Sequence, residues 1–174
     1  SCPNPGINYA RSPYDQAFVA SYDDDPIVIE CDTGYERNSD KTIMQCTETG
    51  AFDSVVECVP KSCKTTIENS KTPVVEAKYQ DNVAVECKRG HHVHESGVST
   101  MTCTADGTFD PLIVCVIVTC HNKGVPHSDH VDAFESQFDH FVDVKCDGGK
   151  TTKTMRCGED GSFSPPNVEC APQP

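Results

Sequence analysis

The sequence predicts an all-β fold of three small, disulfide-stapled modules in tandem. Three observations support this: a repeated phrase, twelve cysteines that fall into three sets of four, and no stretch of helical period and length. The phrase is Cys-x-x-x-Gly-x-Phe, and each copy is followed by a further cysteine. A motif that recurs on such a period indicates one supersecondary unit used three times. The copies begin at Cys46, Cys103 and Cys157.

The cysteine sets define three predicted modules, residues 1–60, 61–117 and 118–174, which we call modules 1, 2 and 3. Domains of this size bury little core and need cross-links to be stable. Two disulfides per module would supply them, but four cysteines permit three connectivities, and spacing alone does not choose among these. The sets are Cys2, Cys31, Cys46 and Cys58; Cys63, Cys87, Cys103 and Cys115; and Cys120, Cys146, Cys157 and Cys170.

Strands are predicted before the second and third cysteine of each module. The second cysteine closes an apolar or alternating run, at residues 27–30, 83–86 and 141–145, which is typical of a half-buried strand. The third closes a Thr-rich stretch and is followed by a glycine turn. The spacing varies most before the second cysteine, so the first loop is the variable part. The turn glycines are Gly50, Gly107 and Gly161.

These features together resemble complement control protein modules, also called sushi or short consensus repeats, in tandem along the whole chain. The match includes the order of the cysteines, the Cys-x-x-x-Gly-x-aromatic phrase, Gly34-Tyr35 after the second cysteine, and the four-residue linkers 59–62 and 116–119. The resemblance implies small, elongated all-β modules with first-to-third and second-to-fourth disulfides. It therefore implies the pairs Cys2–Cys46, Cys31–Cys58, Cys63–Cys103, Cys87–Cys115, Cys120–Cys157 and Cys146–Cys170.

One departure from the usual pattern is consistent in all three modules. Phe52, Phe109 and Phe163 stand where vertebrate modules usually carry Trp, and the chain has no Trp. Divergent, Trp-less modules of this kind resemble those of secreted immunomodulators of parasitic nematodes. That group includes the alarmin release inhibitor, the binder of the alarmin receptor and the mimic of transforming growth factor.

Composition and charge narrow the functional classes. Paired cysteines at this density require an oxidising compartment, so we expect a secreted, extracellular protein. The formal net charge is −13, of which −8 falls in module 1, −1 in module 2 and −4 in module 3. Such a field repels nucleic acid and anionic membranes and attracts basic proteins. The alternative is that the acidity serves only to keep the protein in solution.

The long first loop of module 1 is the leading candidate for a protein-binding site. It places three aromatic residues, Tyr14, Phe18 and Tyr22, before three acids, Asp23, Asp24 and Asp25. Rigid apolar anchors with steering charges at the rim suit a basic partner. Alternatively, Tyr14 or Phe18 packs on the core and the acids form a solvated turn. Three consecutive acids lack the alternate spacing of a calcium loop.

Two further groups are candidate contacts. In module 3, Phe134 and Phe138 fall in a stretch whose apolar residues recur at intervals of three and four, and one or both would otherwise belong to the core. In module 2, His91, His92 and His94 cluster. Histidines can bind zinc, but no cysteine is spare and no helix orients them, so we expect surface-loop histidines and neither metal nor cofactor.

The sequence predicts a monomeric binding protein and not an enzyme. Every cysteine is committed to the repeat, and the carboxylates lie on loops where nothing separates their pKa values into acid and base roles. We expect it to block a host cytokine–receptor complex, with the interleukin-33 receptor axis as the leading hypothesis. The alternatives are a complement-binding regulator, or an adhesive or spacer fragment of a larger ectodomain.

Overall fold

A computed structural model describes residues 1–173, and these residues form strands, turns and loops without a helix. The prediction of an all-β, disulfide-stapled fold is confirmed. The described chain forms two compact units, and the boundary between them runs through module 2. The first unit comprises Ser1–Thr65, Val74–Val83 and Thr100–Leu112, and the second comprises Thr66–Pro73, Ala84–Ser99 and Ile113–Pro174.

The disulfides join the first cysteine to the third and the second to the fourth in every set, which is the pairing that the sushi resemblance implies. The partners lie 24 to 44 residues apart in sequence, so each bond restricts the unfolded chain by about 3.5 to 4 kcal/mol through chain entropy. The bonds are Cys2–Cys46, Cys31–Cys58, Cys63–Cys103, Cys87–Cys115, Cys120–Cys157 and Cys146–Cys170.

Module 1 consists of three antiparallel strand pairs, β1 with β2, β3 with β5, and β4 with β6. Successive side chains of a strand point to opposite faces, so Ile29 and Met44 lie fully buried while Val28 and Ile43 lie outside. The buried pair anchors the module's core. The strands are β1 (Cys2–Asn4), β2 (Phe18–Ala20), β3 (Ile27–Val28), β4 (Tyr35–Arg37), β5 (Ile43–Met44) and β6 (Cys58–Pro60).

Module 2 repeats this plan with one additional strand. Its sheets pair β7 with β8 and β10 with β13, and place β11 between β9 and β12. Met101, fully buried, stands two residues before the third cysteine, as Met44 does in module 1. The strands are β7 (Ser62–Thr66), β8 (Val74–Lys78), β9 (Asn82–Ala84), β10 (His91–Val93), β11 (Thr100–Cys103), β12 (Phe109–Asp110) and β13 (Cys115–Ile117).

Module 3 has the longest ribbon, in which β17 lies between β16 and β18, and a separate pair of β14 with β15. Val144 and Met155 are fully buried and Phe163 is nearly so, and these three residues centre its core. The strands are β14 (Thr119–Asn122), β15 (Phe134–Gln137), β16 (Phe141–Lys145), β17 (Thr152–Cys157) and β18 (Phe163–Ser164).

A joint with one recurring design follows modules 1 and 2. Gly34 and Gly90 adopt φ values of +89° and +79°, and a Cβ at either position would overlap an aromatic ring, Tyr79 at joint 1 and Phe138 at joint 2. The glycine carbonyls accept hydrogen bonds from the linkers, from Lys61 N–H (2.9 Å) and Val118 N–H (2.8 Å). Joint 1 lies within the first compact unit and joint 2 within the second.

Candidate protein-binding surface

The outer face of the β3–β5 ribbon is an exposed apolar surface. Val28 and Ile43 are directly paired across the two strands, and their side chains remain 56% and 44% exposed. Because Ile29 and Met44 occupy the inner face, the strand alternation forces this outer pair towards solvent. We call Val28 and Ile43, together with the adjoining residues 22–25, the ribbon face.

The acidic turn at residues 22–25 is held against this ribbon by hydrogen bonds. Ser21 N–H donates to the Asp24 carboxylate (2.7 Å), and Asp24 N–H donates back to the Ser21 carbonyl (3.0 Å). The Gln45 side-chain amide donates to the Asp24 carbonyl (3.2 Å). Gln45 follows Ile43 by two positions and shares its face of the strand. The turn therefore borders the apolar pair and presents Tyr22, 57% exposed, beside it.

The charges of this turn are not neutralised by neighbouring cations. Asp23, Asp24 and Asp25 make no ion pair within residues 1–173. Two cations of module 1 are engaged elsewhere: Arg11 pairs with Glu30 (3.3 Å) and Arg37 donates to a carbonyl. The turn therefore contributes an acidic field beside an apolar centre, which attracts and steers a basic protein surface.

Another carboxylate near the ribbon, that of Asp53, is held in its charged form. Gln45 N–H donates to the Asp53 carboxylate (3.0 Å). This backbone hydrogen bond, aided by Ser54 and the charge of Lys41, lowers the pKa of Asp53 below its ordinary value. Asp53 therefore stays ionised at neutral pH and adds to the acidity of module 1.

The corresponding positions in the other modules are not apolar pairs. Val28 and Ile43 each stand three residues before a cysteine, and at the same spacing module 2 has Ala84 and Thr100. Module 3 has Asp143 and Thr154, paired across the strands in the same way, and the Thr154 hydroxyl donates to the Asp143 carboxylate (2.6 Å). The fold therefore accepts polar residues here and does not require the apolar pair of module 1.

The predicted aromatic anchors of module 1 are separated in the structure. Tyr14 and Phe18 are half-buried and pack against the core of module 1. Their rings meet edge-to-face at 5.1 Å, and the Phe18 ring lies 6.0 Å from that of Phe52. Only Tyr22 stands beside the acids as an exposed aromatic. Tyr14 and Phe18 therefore contact the core, as in the alternative interpretation, and the hypothesis that all three aromatic residues anchor a partner stays a prediction.

The other predicted contact residues lie in three different places. Phe134 starts β15 and packs on the core of module 3, 5.7 Å from the Phe163 ring. Phe138 closes joint 2, where Arg89 stacks over its ring at 5.6 Å. His91 and His92 lie in β10, and His94 follows it. Among residues 1–173, no three His, Cys, Asp or Glu side chains come together as a metal site.

Comparison with known proteins identifies the family. The family model for the sushi repeat (SCR repeat) matches residues 2–63 and 58–120, so the chain belongs to the sushi repeat family. The chain is 27% identical over 147 residues, 79% of its length, to the Rattus norvegicus protein named Sushi, von Willebrand factor type A, EGF and pentraxin domain-containing protein 1. The Mus musculus protein of that name gives the same identity and coverage. The chain spans about 4% of these relatives.

Family membership establishes the general class of the protein. Sushi repeats generally mediate extracellular protein–protein interactions and are generally non-enzymatic. Their paired cysteines are typical of proteins exposed to an oxidising environment. Within residues 1–173, the structure has no helix long and apolar enough to cross a membrane.

Val28 and Ile43 were not among the residues selected from the sequence. The run Ile27-Val28-Ile29 is apolar at every position, so its periodicity does not show which side chain faces outward. A usable signal lies in the repeat itself. Aligning the modules on their cysteines sets Val28 against Ala84 and Asp143, and shows that only module 1 carries a large apolar residue there.

Proposed function

We propose that this chain is a protein-binding array whose ribbon face in module 1 binds a partner with an apolar centre and a basic rim. The observation that carries this proposal is the exposed Val28–Ile43 pair. Module 3 fills the same paired positions with hydrogen-bonded polar residues, so the apolar pair is not a requirement of the fold. Exposed apolar residues bordered by charge are the usual composition of an interface.

The array itself comprises three sushi-like modules, residues 1–60, 61–117 and 118–174, in a secreted monomer without catalytic activity. Module 3 lies beyond the matched residues from position 121 onward. Two features support its inclusion: its disulfides follow the same order, and a buried methionine, Met155, stands two residues before its third cysteine.

Within this class, we propose that the partner is a cytokine receptor or cytokine and that binding blocks a productive complex. The interleukin-33 receptor axis is the leading candidate. The Trp-less resemblance to nematode immunomodulators and the −8 charge of module 1 support this choice, because an acidic surface suits a basic receptor face. Surface plasmon resonance against interleukin-33 and its receptor tests it directly.

A second function is favoured by the size of the relatives. The chain spans only about 4% of the length of these proteins, so the relatives are much larger than the matched segment. We therefore also propose an adhesive or spacer role within a larger ectodomain. A soluble partner that loses affinity when the ribbon face is altered supports the first function. Binding that is spread evenly over all three modules supports the second.

The decisive experiment transplants the residues of module 3 into module 1. We expect Val28→Asp with Ile43→Thr to lose at least about 2 kcal/mol of binding free energy, roughly 30-fold in Kd. Binding is measured by surface plasmon resonance against a panel of extracellular receptors, cytokines and complement proteins. Circular dichroism and disulfide mapping check that the variant is folded.

The matched control is Val74→Asp with Val131→Thr. These side chains are 53% and 59% exposed and lie outside module 1, so the control removes similar apolar area and changes the charge equally. We expect it to bind like the wild type. Full affinity in the Val28→Asp, Ile43→Thr variant would place the interface away from the ribbon face.

A further inference from the structure

Module 1 also contains an apolar groove, separate from the ribbon face, between the start of the chain and the segment before Cys58. Its volume is about 690 Å³, and its walls include Pro3, Pro5, Phe52 and Val55. Val55 is 57% exposed. Phe52 is only half-buried, whereas the equivalent Phe109 and Phe163 are 6% and 4% exposed. The groove therefore leaves part of a core aromatic ring accessible.

The backbone of one wall is rigidly shaped. The Asn4 side chain is 8% exposed, and its oxygen accepts a hydrogen bond from Gly6 N–H (2.8 Å). Gly6 has a φ of +108°, and a Cβ there would lie 2.9 Å from the Asp15 carbonyl oxygen. Only glycine fits this turn without strain. The groove is thus a preformed feature, which lowers the entropic cost of filling it.

Module 3 builds the same wall and lines it with different side chains. The Asn122 side-chain oxygen accepts from Gly124 N–H (2.8 Å), and Gly124 has a φ of +107°. Its groove is smaller, about 430 Å³. Counted from the cysteines, Lys123 replaces Pro5 and Asn167 replaces Val55. The fold accepts polar and basic residues at these positions in module 3, so it does not require the apolar lining of module 1. Module 2 carries Leu112 at the position of Val55 and Thr66 at the position of Pro5.

The electrostatics of the groove select a cationic occupant. Among residues 1–173, Glu57 is the only charged residue that lines it, and no Lys or Arg does. Arg11 and Arg37, two of the three cations in residues 1–60, are engaged elsewhere, in a module of formal charge −8. A cationic segment is therefore attracted to the groove, and an anionic segment is repelled.

We propose that the groove binds an extended segment of a partner protein in which apolar side chains are flanked by Lys or Arg. The apolar side chains contact Phe52 and Val55, and the flanking cations lie near Glu57. This site is distinct from the ribbon face and gives module 1 a second contact surface. Its occupant differs from the folded basic surface proposed for the ribbon face, because a groove takes a protruding segment.

The test uses fluorescein-labelled peptides and fluorescence anisotropy on the full chain. The probe is the peptide KKLFKK, compared with EELFEE, which reverses the charge, and KKAAKK, which removes the apolar centre. We expect KKLFKK to bind at least fivefold tighter than either comparator. Val55→Asn, which installs the residue of module 3 without a charge change, should weaken KKLFKK binding at least fivefold.

Two controls locate the binding. Val74→Asn removes a similarly exposed valine in module 2 and should leave the affinity for KKLFKK unchanged. The ribbon variant Val28→Asp, Ile43→Thr should bind KKLFKK within about twofold of the wild type, whatever its effect on the partner of the ribbon face. Equal binding of KKLFKK and EELFEE, an unaffected Val55→Asn variant, or loss of peptide binding in the ribbon variant would each overturn the proposal.

Discussion

Modules 1 and 3 pair equivalent strands, β3 with β5 and β16 with β17, but carry different residues on the outer face of that pair. Inside, both bury an aliphatic residue two positions before the second cysteine and a methionine two positions before the third. Outside, module 1 exposes Val28 beside Ile43, whereas module 3 pairs Asp143 with Thr154 through a hydrogen bond. The inner residues therefore secure the fold, and the outer residues are free to serve other purposes. Removing or exchanging parts of the two ribbons tests this division.

The largest expected effect comes from removing the equivalent disulfide in each module. Cys31→Ala with Cys58→Ala, and Cys146→Ala with Cys170→Ala, remove loops of nearly equal length, with separations of 27 and 24 residues. Each variant should lose about 2 to 5 kcal/mol of local stability, measured by hydrogen exchange in the affected module. Only the first should abolish partner binding. Loss of binding in both variants would mean that module 3 contributes to the interface.

An intermediate effect is expected from the acidic turn that only module 1 possesses. Asp23→Asn with Asp24→Asn and Asp25→Asn should slow association about tenfold at low salt and flatten its salt dependence, while dissociation changes little. Asn at position 24 can still accept from Ser21 N–H, so the turn is retained. Stopped-flow association at several salt concentrations measures the effect.

The charge-matched control for this prediction lies in module 2. Glu68→Gln with Glu95→Gln and Asp106→Asn removes three exposed acids at a distance in sequence from the turn. We expect a clearly smaller reduction of the association rate. If the control slows association as much as the turn variant does, net charge and not the position of the turn governs the encounter.

A smaller effect is expected from the polar pair of module 3. Thr154→Val deletes the hydrogen bond to Asp143 and should cost about 0.5 to 1 kcal/mol of unfolding free energy. Adding Asp143→Val should restore much of this loss, because β-branched apolar residues paired across two strands pack favourably, as Val28 and Ile43 are paired in module 1. Urea unfolding of the single and double variants measures both values. A double variant less stable than the single one would show that the fold of module 3 does require its polar outer pair.

The smallest effect concerns pH. The pKa of Asp129 in module 3 is lowered by hydrogen bonds from the His130 side chain and the Lys145 backbone N–H. Because the folded-state pKa lies below the unfolded value of about 3.9, its stabilising contribution is present above that value and is lost as the pH falls through the folded pKa. Asp129→Asn should therefore show a shallower decline of stability below about pH 4.

Asp53 provides the comparison in module 1, since a backbone N–H likewise lowers its pKa. Asp53→Asn should flatten the same acidic limb of the stability curve. Thermal unfolding between pH 2 and 7 measures both variants. A decline below pH 4 that is unchanged in both would show that these two hydrogen bonds do not favour the charged carboxylates in solution.

The threefold repeat allowed the general fold to be predicted from the sequence. The runs before the cysteines predicted the strands, and the glycines at 50, 107 and 161 predicted the turns, where the structure has φ values of +82° to +85°. Spacing did not decide the disulfide pairing, since each set allows three connectivities. The family resemblance implied the pairing, because members of the family share a fold in which these cysteines are adjacent. The spacing of the cysteines alone does not show that adjacency.

The candidate binding surface was harder to predict from the sequence, because it depends on contacts between residues that are distant in the chain. Tyr14, Phe18 and Tyr22 recur every four residues in one loop, and packing against distant core residues, including Phe52, distinguishes the inward rings of Tyr14 and Phe18 from exposed Tyr22. The sequence leaves Phe138 either a contact residue or a core residue, and the structure places its ring over Gly90, which lies 48 positions earlier in the chain. Tertiary packing determines which of these aromatic residues are buried, and the local sequence pattern does not indicate it.

The joints affect how pieces of this chain can be exchanged. At each joint the glycine belongs to one module and the covering ring to the next, so cutting the chain between cysteine sets leaves an uncovered glycine on one side and an exposed ring on the other. Both joints use the same two hydrogen bonds: the linker N–H donates to the glycine carbonyl, and the linker carbonyl, of Lys61 or Val118, accepts from the N–H of Tyr79 or Phe138 (2.9 and 2.8 Å). A chimera that places module 3 directly after module 1 would therefore meet Gly34 with Phe138 in place of Tyr79, an exchange of one aromatic ring for another. We therefore expect proteins with these modules in a different order to fold without changes to the residues of the joints.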